Sequence, residues 1–389
     1  MEEWKTYTAS DFCIKVTDGT HDSPKPKDSG HYLITSKHLK DNYIDFSSAY
    51  RISEEEYQKI IKRSNVVQHD ILFSMIGTIG NIVRITAPIV DFAVKNMAIF
   101  KMGGNELKSK WLYYWLQSPS AKEYIASRLA GSTQAYLTLD SIRQYPISSP
   151  SEVEMKKIVD ILQSIDDKIE LNNRINHNLE QQARALFSHW LNNCEDKVAI
   201  SELCDNILDY TPITAKRVVA LNSSDVTEGV FAELSYTPFS EIKGQFKKRF
   251  EKGDILYSEI RPRNLHYAYC YFNPMDYIAS TRLMVIRSKS EKLYSSVMLY
   301  QYLQMPKVFE EFTSKTESRS GTFPQGNFKD LSSSIVPYSG DNEEISIILE
   351  SLYKLIWKNI DENKSLSSLR DSLLPILMSG ELKINDLTC

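Results

Sequence analysis

Residues 158–190 read IVDILQSIDDKIELNNRINHNLEQQARALFSHW, and stepping through them by four and three gives Ile158, Leu162, Ile165, Ile169, Asn172, Asn176, Leu179, Ala183, Leu186 and Trp190. That alternation is a heptad repeat, which keeps one narrow stripe on a helix suited to knobs-into-holes packing against a second helix. A helix lying on a globular core would carry a wider apolar face, whereas Asp166, Asp167, Lys168, Glu170, Asn173 and Arg174 crowd the flanks here. The same steps from Ile345 give Leu349, Leu352, Ile356, Asn359, Asn363, Leu366, Arg370, Leu373 and Leu377. The Asn pair recurs in register, so the chain is an internal duplication around two long helices.

Asn in an apolar seam lowers stability but fixes register, because its amide must find a partner across the interface. An antiparallel pairing sets Asn172 against Asn363 and Asn176 against Asn359; a parallel pairing sets each Asn against its counterpart and also satisfies the amides. The long segment that returns between the helices favours the antiparallel form. Ser149-Pro150-Ser151-Glu152 offers an N-cap serine and a proline at the first helical position. Asp341-Asn342-Glu343-Glu344 starts the second helix; Asn192 and Asn193 stop the first and Gly380 the second, with Pro375 expected to kink the last turns.

The duplication reaches beyond the helices. Asp70-Ile71-Leu72-Phe73-Ser74 recurs as Asp254-Ile255-Leu256-Tyr257-Ser258, and Leu112-Tyr113-Tyr114-Trp115-Leu116-Gln117-Ser118-Pro119 as Leu299-Tyr300-Gln301-Tyr302-Leu303-Gln304-Met305-Pro306. A Gly/Ser/Thr loop follows each, at Gly131-Ser132-Thr133-Gln134 and Ser318-Arg319-Ser320-Gly321-Thr322. Strand-like runs such as Asn81-Ile82-Val83-Arg84-Ile85 and Leu283-Met284-Val285-Ile286 make the globular parts mixed α/β. The expected divisions are 1–148 globular, 149–192 long helix, 193–340 globular, 341–380 long helix and 381–389 tail.

No apolar run reaches membrane-spanning length, and Met1-Glu2-Glu3-Trp4 is no signal peptide, so a soluble cytoplasmic protein is expected. Cys13, Cys194, Cys204, Cys270 and Cys389 are scattered and odd in number, which suits neither a disulfide framework nor a zinc site. There is no G-x-x-x-x-G-K-[ST] loop and no G-x-G-x-x-G after a strand. Asn273-Pro274-Met275-Asp276 lacks the second proline and the aromatic of an amino-methyltransferase motif, and reads as a polar turn. Glu241-Ile242-Lys243 has nuclease-like spacing without a supporting Pro-Asp strand end, and reads as a solvated loop. His21, His31, His38 and His69 are not spaced as metal ligands. No catalytic residue and no metal site are expected.

Two variable mixed segments alternating with two long helices, the first carrying Ile165-Asp166-Asp167-Lys168-Ile169 and then Asn172 and Asn173, resemble the DNA-specificity subunit of type I restriction-modification enzymes. Asp18-Gly19-Thr20-His21, Gly77-Thr78-Ile79-Gly80 after Asp70-Ile71-Leu72, and Leu373-Leu374-Pro375 near Gly380-Glu381-Leu382 fit the same family. The resemblance covers nearly the whole chain and rests on the order and duplicated spacing of the motifs. It implies a non-catalytic subunit with two target recognition domains, each reading half of a bipartite DNA site. An antiparallel two-helix coiled coil would separate them with pseudo-twofold symmetry, set the spacer and dock two methyltransferase subunits. S-adenosylmethionine, ATP and Mg would belong to the methyltransferase and motor-nuclease partners only. A coiled-coil scaffold with protein-binding ends, or a methylation-only system, is the alternative.

A net charge of −4 and a pI near 6.0 disfavour coating DNA by phosphate neutralisation alone. Local basic clusters exist: Lys25, Lys27, Lys37 and Lys40, then Lys243, Lys247, Lys248, Arg249, Lys252, Arg261 and Arg263. Donors beside glycine or proline turns are the further DNA-contact candidates: Thr20, His21, Ser74, Thr78, Ser132, Thr133 and Gln134 in the first half, and Tyr257, Arg261, Arg263, Asn264, Arg319 and Thr322 in the second. Arg pairs with guanine O6/N7 and Asn or Gln with adenine N6/N7, which singles out Arg261, Arg263, Asn264 and Gln134 as base readers. The Ser and Thr residues serve equally well as turn stabilisers.

Overall fold

In the computed structural model, which describes residues 4–40, 42–130, 135–317 and 325–381, the two seams lie on helices Glu152–Asn192 and Glu343–Ser379. The chain divides into two compact units: Met1–Ile169 with Lys364–Cys389, and Glu170–Asn363. Each unit contains half of each long helix, and in each the two halves run antiparallel.

In unit 2 the polar part of the seam pairs across the helices. Asn172 Nδ2 donates to Asn363 Oδ1 at 2.8 Å, and Asn359 Nδ2 donates to Asn176 Oδ1 at 2.8 Å. Spare hydrogens are also used: Asn172 reaches Glu362, Asn176 reaches the Ile356 carbonyl and Asn363 reaches Asn173. Beyond this layer Ala183 and Phe187 share a core with Ile345, Leu349 and Ile356. In unit 1 Ile158 and Leu162 share a core with Leu374 and Leu377. Arg370, the one charged seam position, meets Asp166 at 3.0 Å.

Two details of the helices differ from the sequence reading. Leu186 is 41% exposed while the neighbouring Phe187 is fully buried, because there the helix lies on the globular core and the buried stripe shifts round to Ala183, Phe187 and Leu191. Ser149 belongs to the strand Pro146–Ser149, and the Ser151 hydroxyl is the one that accepts from the Glu154 N–H, at 3.4 Å. The second helix continues through Pro375 to Ser379, and Gly380 ends it with φ +74°.

The globular parts repeat one topology. Unit 1 has a four-stranded antiparallel sheet in the order Lys15–Asp18, Met97–Lys101, Ile71–Ser74, Ile82–Arg84; unit 2 has Cys204–Asn206, Leu283–Ser288, Ile255–Ser258, Tyr267–Tyr269 in the same order. Side chains alternate across the sheet. Ile71, Phe73 and Phe100 face the helices, while Leu72, Val83 and Ile99 face a smaller second sheet, so both faces are dry and the strands read as unbroken apolar runs. Ile255 and Tyr257 against Leu256 and Val285 repeat the division in unit 2. The second sheet contains a parallel pair in each unit: His31–Ile34 with Phe92–Val94, and Arg217–Leu221 with Tyr277–Ser280.

Each main sheet is anchored by a buried carboxylate just before its central strand. Asp70 is fully buried and held by Lys101, the Val67 N–H and the Met102 N–H. Asp254 is held bidentately by Arg287 at 2.6 and 2.8 Å and by the Glu251 N–H at 2.7 Å. A buried charge persists only when paired and hydrogen-bonded, so these sites tie strand to strand in both units. Cys13 and Cys204 occupy matching places after short helices, and burial pushes both thiols up to about 12. Among the described residues no helix is long and apolar enough to cross a membrane.

Asn176→Leu should destabilise by about 1 kcal/mol by removing the hydrogen bond to the half-buried Asn359 amide. Asn176→Leu with Asn359→Leu should cost less than the sum of the single changes; urea denaturation showing strict additivity would mean the amides do not pair in solution. His31 supplies a pH test. Burial lowers its pKa, but hydrogen bonds to Glu54 and Asp91 outweigh this and raise it above the ordinary 6.5, with the ring stacked on Tyr57 at 3.8 Å. A raised folded-state value stabilises fully below about pH 6.5 and is lost as pH rises through that value. The melting temperature should therefore fall over that window, and His31→Gln should flatten the fall.

Candidate nucleic-acid interface

Strand register brings the segments of interest to one end of the unit 1 sheet. Asp18 pairs with Ala98, which pairs with Phe73, so Gly19-Thr20-His21 and the turn after Ser74 leave the same edge. The flank of the Gly/Ser/Thr loop arrives there too: Ile76 bridges Tyr136, and the Leu137 N–H donates to the Met75 carbonyl at 2.9 Å. Ser132, Thr133 and Gln134 themselves lie outside the described residues.

The Asp18-Gly19-Thr20-His21 motif is built by close backbone approach. A Cβ on Gly19 would stand 2.3 Å from the Val94 carbonyl oxygen, which only glycine avoids. Thr20 is buried, and its hydroxyl accepts from the Asp22 N–H at 3.1 Å. His21 stays exposed, its ring bridging Asn96 and Asp18 at 2.8 Å each, while Arg63 also pairs with Asp18. Ser74 is buried, donating to the Thr78 carbonyl and accepting from the Asn81 N–H at 2.8 Å. Thr20 and Ser74 therefore act as turn stabilisers, whereas His21, Thr78, Lys25, Lys27, Lys37 and Lys40 are exposed.

Unit 2 builds the corresponding edge differently. Its hairpin from Ser258 to Tyr267 carries a short turn, Pro262–Asn264, flanked by Arg261 at φ +48° and Leu265 at φ +53°. In unit 1 the matching places, three residues after the strand and two before the next, are Gly77 at φ +79° and Gly80 at φ +91°. Arg261, Arg263 and Asn264 are exposed. Arg263 is held by Glu317 through Nε to Oε1 at 2.7 Å and Nη2 to Oε2 at 2.9 Å. This pairing raises the arginine pKa and lowers that of the carboxyl. Gly326 closes the base of the hairpin by donating to the Glu259 carbonyl at 2.8 Å. Arg319 and Thr322 lie outside the described residues.

Two candidates are displaced from this surface. Tyr257 is 1% exposed and stacked on Phe309 at 5.4 Å, in the place held by Phe73 in unit 1; it is a core residue whose hydroxyl has no hydrogen-bond partner, out of reach of a groove. Lys248 is 2% exposed and donates to the Leu283 carbonyl at 2.6 Å, with Glu259 at 3.7 Å. Burial lowers its pKa and raises that of Glu259. Lys243, Lys247 and Lys252 remain exposed, and Arg249 is half-buried. Pro274 accepts from the Tyr277 N–H at 3.0 Å, and Glu241 and Lys243 are exposed at a short turn, in keeping with a polar turn and a solvated loop. Sequence reading missed Asn96, Arg63 and Glu317, which nothing in the local sequence links to the motif residues. The Asp70–Lys101 and Asp254–Arg287 pairs did leave a signal, since both members recur at nearly the duplication offset.

Residues 1–181 and 224–365 match the family described as Type I restriction modification DNA specificity domain. The chain belongs to this family. It is 34% identical over 158 residues to the type I restriction enzyme HindI specificity subunit of Haemophilus influenzae, covering 40% of this chain and 34% of that protein. It is 24% identical over 311 residues to the MjaIX specificity subunit of Methanocaldococcus jannaschii, covering 72% of this chain and 70% of that one. The match thus spans about a third of the length of the first relative. The fold is similar to that of a type I restriction-modification S subunit from M. genitalium, with TM-score 0.59, 16% identity and 96% of each chain covered.

For a member of this DNA specificity family the burial of Lys248 has a measurable consequence. Lys248→Met should lower thermal stability yet leave the salt dependence of DNA affinity unchanged, because a buried ammonium releases no counterion. If the exposed Lys247 touches phosphate, Lys247→Ala should reduce the log–log slope by about one. A comparable slope change for Lys248→Met in a salt titration would put its side chain on the DNA.

Proposed function

We propose that this chain is the sequence-reading subunit of a type I restriction-modification complex, with 1–148 and 193–340 as two target recognition domains that each read half of a bipartite site. What carries the reading is the same sheet edge built twice with different chemistry on its hairpin, glycine at Gly77 and Gly80 against Arg261 and Leu265. One scaffold presenting two different tips suits two different half-sites. The chain itself is non-catalytic and works in the cytoplasm. Methyl transfer with S-adenosylmethionine belongs to two methyltransferase subunits docked on the helices, and ATP- and Mg-dependent cleavage to motor-nuclease subunits.

In this reading the long helices set the distance between half-sites. Because Asn172 meets Asn363, residues 169–175 face residues 360–366, and deleting both segments removes one heptad per helix without shifting the seam. The helices shorten by about 10 Å, or roughly three base pairs of DNA. Methylome sequencing of cells carrying the shortened chain with its methyltransferase should lose the original site, and any new site should keep both half-site sequences with a shorter spacer. An unchanged spacer in a stable, active complex would show that the helices are not the ruler.

A further inference from the structure

We propose that Glu317 is a specificity-determining residue that positions Arg263 to read a guanine, an inference that rests on the DNA-reading function proposed above. A guanidinium has two bidentate edges, and the pair holds only one. Glu317 takes the side edge, Nε and Nη2, at 2.7 and 2.9 Å. The end edge, Nη1 with the outer hydrogen of Nη2, remains and can donate bidentately to guanine O6 and N7. Among the described residues Nη1 has no partner, and the Arg263 side chain is 73% exposed. A free arginine must lose side-chain freedom when it meets a base, whereas one already clamped in plane has lost it.

The surrounding backbone points the same way. Arg261 and Leu265 both stand in the left-handed region, which is unfavourable for residues with a Cβ, where unit 1 uses glycines. Pro262 is buried between them, so the turn that carries Arg263 is fixed at both ends. Glu317 lies in the last described turn of the helix Pro306–Glu317, whose Phe309 and Phe312 lie in the core of unit 2. The carboxylate therefore comes from a helix anchored in the core. A carboxylate near DNA repels phosphate, so a pair that served only affinity would be better without it. Its contribution is discrimination: Glu317 makes a misdirected Arg263 unfavourable as well as a directed one favourable.

The test uses the full chain purified with its methyltransferase partners and a target defined by methylome sequencing. Competition binding then compares the target with DNAs changed at one base pair at a time. Arg263→Ala should reduce discrimination about tenfold or more at a single G·C pair in one half-site. Glu317→Gln should reduce discrimination several-fold at that same pair and nowhere else. The charge swap Arg263→Glu with Glu317→Arg should restore the ion pair but not the base choice. Uniformly tighter binding of Glu317→Gln to all sequences would mean that the carboxylate only masks the arginine, and overturns the proposal. So would an unchanged base preference, a loss at a different pair, or full recovery of recognition by the swap. A wild-type complex that methylates no bipartite site overturns the functional reading together with this inference, whereas a bipartite site indifferent to both residues overturns this inference alone.

Discussion

Four asparagines in the middle of an apolar seam constrain everything else in this chain. Asn172 and Asn176 are buried, and a buried amide left without a partner costs on the order of 1–3 kcal/mol, so helix direction and register must bring Asn172 to Asn363 and Asn176 to Asn359. Once direction is set, the beginning of one helix lies beside the end of the other, and Ile158 and Leu377 enter one core while Phe187 and Ile345 enter another. An all-leucine seam would tolerate a slip of one heptad. The amides exclude it, because a slipped Asn would face Leu366 or Ile356 in place of another amide.

The duplication kept the positions and changed the chemistry. In unit 1 the Tyr114 hydroxyl donates to Asp166 at 2.7 Å, and Asp166 also accepts from Arg370 at 3.0 Å. The residues 187 positions after Tyr114 and Asp166 are Gln301 and Tyr353, and there the Tyr353 hydroxyl donates to Gln301 Oε1 at 2.6 Å while accepting from Gln304 Nε2 at 2.8 Å. One network is ionic and the other neutral, yet both satisfy their buried polar atoms. Satisfaction is what the fold requires, and the identity of the groups is free to drift. The carboxylate before each central strand drifted less: Lys101 became Arg287, while Asp70 and Asp254 kept their place.

Much of the fold was legible because it depends on periodicity. The seam, the Asn pairs, the strand runs at Ile71 and Ile255 and the stop at Gly380 all follow from spacing along the chain. Leu186 and Ser149 were misread where a helix meets a globular core, since a strict heptad cannot say where the buried stripe shifts to meet that core. The interface was less legible. Tyr257 sits in a repeated strand motif whose first-half residue is Phe73, and that alignment alone marks it as core. Lys248 looks like any lysine in a basic run, and its burial depends on a carbonyl at Leu283 that only the folded sheet supplies. The pairing of Arg263 with Glu317, 54 positions apart, likewise forms only once the chain has folded.

Glycine and arginine at matching hairpin places bear on what each edge can offer a ligand. At Gly77 and Gly80 the left-handed backbone is adopted without strain, so the loop presents its own N–H and C=O groups and the hydroxyl of Thr78 with little bulk in the way. At Arg261 and Leu265 the same conformation is unfavourable by about 1–2 kcal/mol per residue relative to glycine. The surroundings hold this conformation in place through buried Pro262, through Leu265 packed on the core, and through Gly326, whose Cβ, if present, would stand 2.4 Å from the Phe312 ring. The two edges therefore differ on one frame: a compact backbone surface in unit 1, and in unit 2 a guanidinium surface in which Arg263 is paired with Glu317.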